Sequence, residues 1–185
     1  MDGSSRVLVR ARSLRAALLF IAALAAGPAA EAGAEAAQGP RGVRGAVTNL
    51  PIPRYVSLRA DSANARRGPS FDQRVDWEFV HRGLPLEVTA EYGHWRRVND
   101  ADGYGGWVHH TLLSGLRTAL VRGDAPVALH AGPTEASAVR AMAEPGAIGR
   151  VVACEGAWCA IAAAGLEGWL PRAALWGVGA DETIE

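Results

Sequence analysis

The sequence predicts an all-β protein, two tandem small β-barrels behind a signal peptide and a short linker. Three observations carry this: an internal repeat, the lack of a helical apolar stripe, and short apolar runs at regular spacing. Gly103–Gly115 aligns without gaps on Gly165–Gly177 at an offset of 62, with identities at Gly103/Gly165, Gly106/Gly168, Trp107/Trp169, Leu113/Leu175 and Gly115/Gly177. Upstream, Gly93-His94-Trp95 matches Gly156-Ala157-Trp158 at 63, and Gly68-Pro69-Ser70 matches Gly132-Pro133-Thr134 at 64. The drift is what single-residue loop insertions produce in a duplication. In place of a 3.6-residue period there are runs bounded by Gly, Pro and Asp: Tyr55–Arg59, Leu84–Glu91, Trp95–Val98 and Gly106–Val108, then Ala147–Ala153, Trp158–Ala162 and Gly168–Leu170. Such spacing is that of a small barrel or sandwich.

The chain begins differently. Arg6, Arg10, Arg12 and Arg15 precede an apolar run from Ala16 to Ala26, followed by small residues. This is the plan of a signal peptide, with cleavage expected after Ala34 and with Ala32 and Ala36 equally small. The apolar run is too short to cross a hydrocarbon layer of ~30 Å as a helix, and no cysteine lies nearby to take a lipid. Export to the periplasm follows, without stable membrane insertion after cleavage. Residues 35–53, with Pro40, Pro51 and Pro53, read as a linker. The first barrel is then 54–115, the second 116–177, and 178–185 a short acidic tail. Arg117–Val121 fits either the end of the first barrel or the start of the second.

All nineteen basic residues are Arg, balanced by nineteen acidic ones. Removing residues 1–34 takes away four Arg and two acids, leaving fifteen against seventeen. A chain at about −2 offers no electrostatic footprint for nucleic acid or an anionic membrane. The two cysteines, Cys154 and Cys159, flank Glu155-Gly156-Ala157-Trp158. Two ligands cannot close a structural zinc site, so in an exported protein the pair is expected as a disulfide across a hairpin.

Alternation along Trp95-Arg96-Arg97-Val98 puts Val98 on the face opposite Trp95, and Ile161 stands likewise to Trp158. The aliphatics claim the core, which leaves the hairpin tryptophans for a groove or rim. Trp107 and Trp169, following Gly in the closing strand, are expected in the core.

Four motifs in order then resemble a known family. Asn64-Ala65-Arg66-Arg67-Gly68-Pro69-Ser70 resembles the N-x-R-x-G-P-[ST] opening of bacterial SH3-like (SH3b) domains, and Gly83–Val88 their G-x-P-V/L-x-V strand. Glu91–Val98 is similar to their Trp-bearing hairpin, and Asp102–Val108 to the D-G-x-x-G-W-V turn and strand that closes the barrel. The second copy is degenerate: Val127–Ala131 replaces Asn64–Arg67, and Ala141 stands where the first copy has Trp77. The resemblance implies a non-catalytic binding module of the cell envelope whose ligand is a cell-wall peptide. The alternative is an adaptor that recruits an envelope protein, and a lesser one is an auxiliary part of a cell-wall hydrolase. Small barrels hold extended peptides in shallow aromatic grooves, so the expected groove is on the first barrel, from Arg66, Trp77, Tyr92, Trp95 and Tyr104. Arg66-Arg67 and Arg96-Arg97 are candidate anion clamps, but eight Arg against eight acids in that barrel favours a solvated mixed-charge surface.

No catalytic, cofactor or metal residues are assigned. The histidines stand at 81, 94, 109, 110 and 130. Adjacent strand residues face opposite ways, so at most one of His109 and His110 joins a given site, and the HHTLL stretch reads as the turn after the closing strand. No nucleophile elbow, zincin pair or phosphate loop occurs, and the repeats leave no room in this sequence for a catalytic domain. The oligomeric state is left open.

Overall fold

The computed structural model describes residues 43–184. The expected signal peptide, the first part of the expected linker and Glu185 lie outside the described residues. The first barrel contains β1 (Arg54–Leu58), β2 (Ser62–Arg66), β3 (Val75–Val80), β4 (Pro85–Tyr92), β5 (Trp95–Asn99), β6 (Gly105–His109) and β7 (Leu113–Ser114). The second contains β8 (Thr118–Val121), β9 (Val127–His130), β10 (Val139–Ala143), β11 (Ile148–Glu155), β12 (Trp158–Ala163), β13 (Leu166–Pro171) and β14 (Leu175–Trp176). The sheet orders are β3-β2-β6-β5-β4-β1-β7 and β10-β9-β13-β12-β11-β8-β14, the same order twice, with antiparallel pairing throughout. The duplication read in the sequence is therefore a duplication of topology. The ambiguous strand is β8, which pairs with β11 and β14 and so opens the second barrel.

Period-two alternation along the strands fills each core from one face of its sheet. In the first barrel Leu58, Phe79, Leu86, Val88, Val98 and Val108 are fully buried. In the second, Val151, Ile161, Leu170 and Leu175 cluster with the two cysteines. Because Val108 and Leu170 take the inward positions, Trp107 and Trp169 face the other way and are only half-buried. This corrects the expectation that both tryptophans are core. The Gly before each Trp has a separate cause: a Cβ on Gly106 or Gly168 would sit 2.7 Å from the carbonyl oxygen of Arg66 or His130, so only glycine lets the closing strand approach its neighbour. The strands β2, β3, β9 and β10 are absent from the apolar runs of the sequence. Of six residues in β3 only Phe79 is buried, although Val75, Trp77 and Phe79 alternate with Asp76 and Glu78 as in a half-buried strand.

Segments expected to be linker and tail are, where described, folded onto the barrels. Residues 43–53 form a turn in which the Gly45 N–H donates to the Leu50 carbonyl (2.8 Å). The turn closes over Glu91, whose side chain is fully buried. Its carboxylate accepts the Val47 and Thr48 N–H groups (3.0 and 2.8 Å), the Thr48 hydroxyl (2.6 Å) and the Arg54 guanidinium (2.7 Å). Arg96 lies 3.5 Å away. Burial pushes the Glu91 carboxyl up, but the donors from Thr48, Val47 and Arg54 outweigh it and hold it at about 2.

The second barrel solves the same problem with different chemistry. Glu91 and Arg96 are cross-strand partners, and at the equivalent register Cys154 and Cys159 form the expected disulfide. The terminal segment here is the acidic tail: the Cys154 N–H donates to the Ile184 carbonyl (2.9 Å). Arg117, the counterpart of Arg54, pairs with Glu182, and Arg172 donates to the Gly179 and Glu182 carbonyls (2.5 and 2.9 Å). The two barrels meet where the Thr118 hydroxyl donates to the Gly83 carbonyl (2.7 Å) and Tyr55 packs edge-on against Trp176.

Two outcomes follow for stability. Glu91 is ionised when folded and its folded pKa lies below the unfolded value. Its contribution is complete above about pH 5 and is lost as the pH falls through about 2. Glu91→Gln leaves two guanidinium groups without their buried partner and destabilises the first barrel at pH 7 by about 3 kcal/mol; urea unfolding at stepped pH will show a flatter acid limb in the variant. Reduction of Cys154–Cys159, which closes a loop of sequence separation 5, lowers the stability of the second barrel by about 2 kcal/mol. Thermal unfolding with and without reductant checks this, with alkylation labelling both cysteines only after reduction.

Candidate functional site

The outward faces of β5 and β6 carry Trp95, Arg97, Asn99, Trp107 and His109, with Arg97 opposite Trp107 in the ladder. Trp107 in turn pairs with Arg66 on β2. Where β2, β5 and β6 come together, a polar pocket of about 380 Å³ is lined by Arg66, Arg67, Asp76, Arg97, Asn99 and Trp107. Beside it Trp77 of β3 stacks on Tyr104 at 4.4 Å with 7° between the rings, and both rings are exposed.

Each arginine at this pocket has a different status. Arg66 donates from one nitrogen to the Phe71 and Gln73 carbonyls (2.9 and 2.7 Å), which ties down the loop 68–74. Arg67 bonds Asp76 (3.0 Å), as does Arg74 (2.6 Å), and these two hold the Asp76 carboxyl below the usual carboxylate range. Arg97 is exposed and has no ion pair among the described residues. Three guanidinium groups against one carboxylate give the pocket a cationic lining, in which Arg97 is the guanidinium without a carboxylate partner or loop carbonyl among the described residues.

The residues expected to form the groove are brought together only in part. Arg66 lines the polar pocket, while Trp77 and Tyr104 stack on each other outside its lining, each next in the chain to a lining residue. Trp95 is 8% exposed, because Phe71 packs edge-on against it at 4.9 Å and His109 at 5.5 Å. It serves the packing of the 68–74 loop and lines, with Arg66, Phe71 and His109, a separate small pocket of about 180 Å³. Tyr92 is exposed at the far end of β4, across the hairpin from Trp95, and lines neither the polar pocket nor the cleft described below. Sequence reasoning treated Arg67 and Arg97 as solvated surface and passed over Asp76 and Asn99. Arg97 and Asn99 share the Trp95 face by simple alternation, and that was the available signal. Arg96, read with Arg97 as one clamp, is buried against Glu91 instead.

The histidines also differ from expectation. His110 starts a single 3-10 turn (His110–Leu112), so the strand alternation stops at His109. The His109 and His110 rings lie 5.0 Å apart on the same side, with His94 5.5 Å from His110. Burial and then the neighbouring His109 push the His110 pKa down.

In the second barrel, chain register places Ala131, Ala160 and Ala162 where Arg67, Arg97 and Asn99 stand, and Ala141 and Leu166 where Trp77 and Tyr104 stack. The cationic lining is thus not repeated at the equivalent positions of the second barrel. A larger cleft of about 890 Å³, however, lies on the second, between Trp158, Pro171, Leu175 and the tail 178–183.

Two seven-stranded antiparallel barrels in tandem, each closed by a Gly-Trp strand and each bearing a short loop after a Gly-Pro pair, define the class as duplicated small β-barrel domains. The family model for the bacterial SH3 domain matches at residues 59–115 and again at 123–177, and the chain belongs to that family. Among solved structures it is similar to NlpC2 and NlpC1 from Trichomonas vaginalis, each at 11% identity and a TM-score of 0.32. The match covers 67% of this chain and 48% of NlpC2, and 74% of this chain and 51% of NlpC1. This chain therefore spans about half the length of either. None of the curated proteins matches it. An extracellular or envelope setting fits both the family and the disulfide.

Arg66→Ala removes two charge-assisted bonds to loop carbonyls and costs about 1–2 kcal/mol of local stability. Hydrogen exchange is expected to speed up at residues 68–74 while β4 to β6 keep their protection.

Proposed function

We propose that this protein is a non-catalytic binding module of the cell envelope, exported to the periplasm, that reads a carboxylate-bearing extended peptide of the cell wall through its first barrel. The observation that carries this reading is the exposed Arg97 guanidinium in a pocket of net positive charge beside the Trp77–Tyr104 stack. A carboxylate finds a fork of N–H donors there, and the adjacent flat aromatic surface packs the apolar parts of the same chain. Pre-tied loops lower the ordering cost of binding, and Arg66 supplies that by fixing residues 68–74. The basic leader with its short apolar run supports export, and the bridged cysteines suit the oxidising compartment it leads to.

Co-sedimentation of the chain with purified peptidoglycan sacculi tests the reading. Retention at roughly tens of micromolar protein is expected, with Trp77→Ala or Arg97→Ala weakening it by about tenfold or more, as loss of an aromatic or arginine anchor does. Retention that both variants keep would remove the pocket from the proposal. No retention by the parent would give the module to a protein partner, the adaptor reading.

A further inference from the structure

The two barrels share a frame, and one exchange between them has opened a second surface. In the first, Phe71 and His109 cover Trp95. In the second, Glu135 stands in the place of Phe71 and Pro171 in the place of His109, by the offsets of 64 and 62 that the loop and the closing strand keep. Trp158, the counterpart of Trp95, is left half-buried on the wall of the cleft of about 890 Å³. Leu175 and Val178 add apolar surface, and Glu135 and Asp181 stand at its edge.

Charge decides what such a cleft accepts. Glu135 and Asp181 are exposed and form no ion pair among the described residues. Glu182 pairs with Arg117, and Arg172, the one cation of the lining, donates to the tail carbonyls of Gly179 and Glu182 and keeps its charge, so three carboxylates of the lining stand against one guanidinium. The mouth is therefore negative around an apolar floor, the reverse of the polar, cationic pocket on the first barrel. We infer that this cleft docks a basic, extended segment of a partner protein, with a Lys or Arg side chain held between Glu135 and Asp181 and its apolar neighbours against Trp158 and Leu175. Its volume lies within the range of about 300–1,000 Å³ of pockets that bury a drug-sized group, enough for one long side chain and its apolar neighbours, and complementary charge selects the segment over neutral or acidic ones. The site is independent of the peptide reading proposed for the first barrel and uses none of its residues.

The test uses four biotinylated nonapeptide pools with degenerate flanks and a fixed central Lys, Arg, Glu or Ala, immobilised and probed with the full chain. The Lys and Arg pools are expected to retain it above the Glu and Ala pools. The loss should be roughly two- to fivefold for each of Glu135→Gln and Asp181→Asn, the size of single exposed charge pairs, and retention should fall with added salt. Trp158→Ala should abolish retention, with thermal unfolding verifying its fold; the two carboxylate variants are surface changes and keep the test open if it does not fold. Trp77→Ala should leave retention unchanged, which separates this cleft from the first barrel's pocket whether or not sacculi are bound. Equal retention on all four pools, or retention that Glu135→Gln and Asp181→Asn leave intact, overturns the inference. So does concentration-dependent self-association lost in those variants, which would give the cleft to a second copy of the chain.

Discussion

Strand alternation across the meander β4-β5-β6 governs the rest of this molecule. Val88, Val98 and Val108 point inward, and no other arrangement buries them. Once they do, Trp95, Arg97, Asn99, Trp107 and His109 share the outer face, with their spacing fixed by the ladder. The same rule in β11-β12-β13 turns Val151, Ile161 and Leu170 inward and sets Trp158, Trp169 and Pro171 outward. A register slip of one residue would empty both the core and the outer surfaces together, so packing and recognition depend on one constraint.

Within that frame the copies have diverged in chemistry while keeping geometry. The position that meets a terminal segment is an ion-paired carboxylate in one barrel and a disulfide cysteine in the other, where the backbone N–H of Cys154, not its sulfur, bonds the tail. Arg54 and Arg117 keep the same task against different carboxylates, Glu91 and Glu182. A buried carboxylate survives at Glu91 because every lone pair finds a donor, without which the desolvation cost would be prohibitive. The outer surfaces have diverged further. One carries arginines around a small polar pocket; the other has alanines there and an acidic, apolar cleft elsewhere. The two copies thus carry surfaces of opposite charge at different places on a shared frame.

Cores and sites differed in how far the sequence revealed them. The runs at Leu84–Glu91 and Trp95–Val98 reappear as β4 and β5, since half-buried central strands must alternate. In β2 the inward residues are Ala63 and Ala65, too small to mark an apolar face, whereas the alternation Val75-Asp76-Trp77-Glu78-Phe79 of β3 is a legible strand signal that sequence reasoning passed over. Trp107 is expected in the core from its place after Gly in the closing strand, yet the inward position next to it is taken by Val108. Trp77 and Tyr104 were identified as groove residues, but that they stack on each other depends on β3 and the β5–β6 turn meeting across the barrel, which no local pattern encodes.

The sequence by itself determined the duplication, the all-β class, the inward aliphatics and the disulfide, because each follows from local spacing and side-chain chemistry. Tertiary structure alone decided which of the outward side chains are free. Arg66 and Arg97 face outward and Arg96 sits on the side of Val98, yet Arg66 holds a loop, Arg96 is buried against Glu91 and Arg97 has no ion pair among the described residues. Which of these occurs depends on what the chain brings to within about 3 Å of each guanidinium, and those neighbours lie in other strands, loops and terminal segments that only folding brings together.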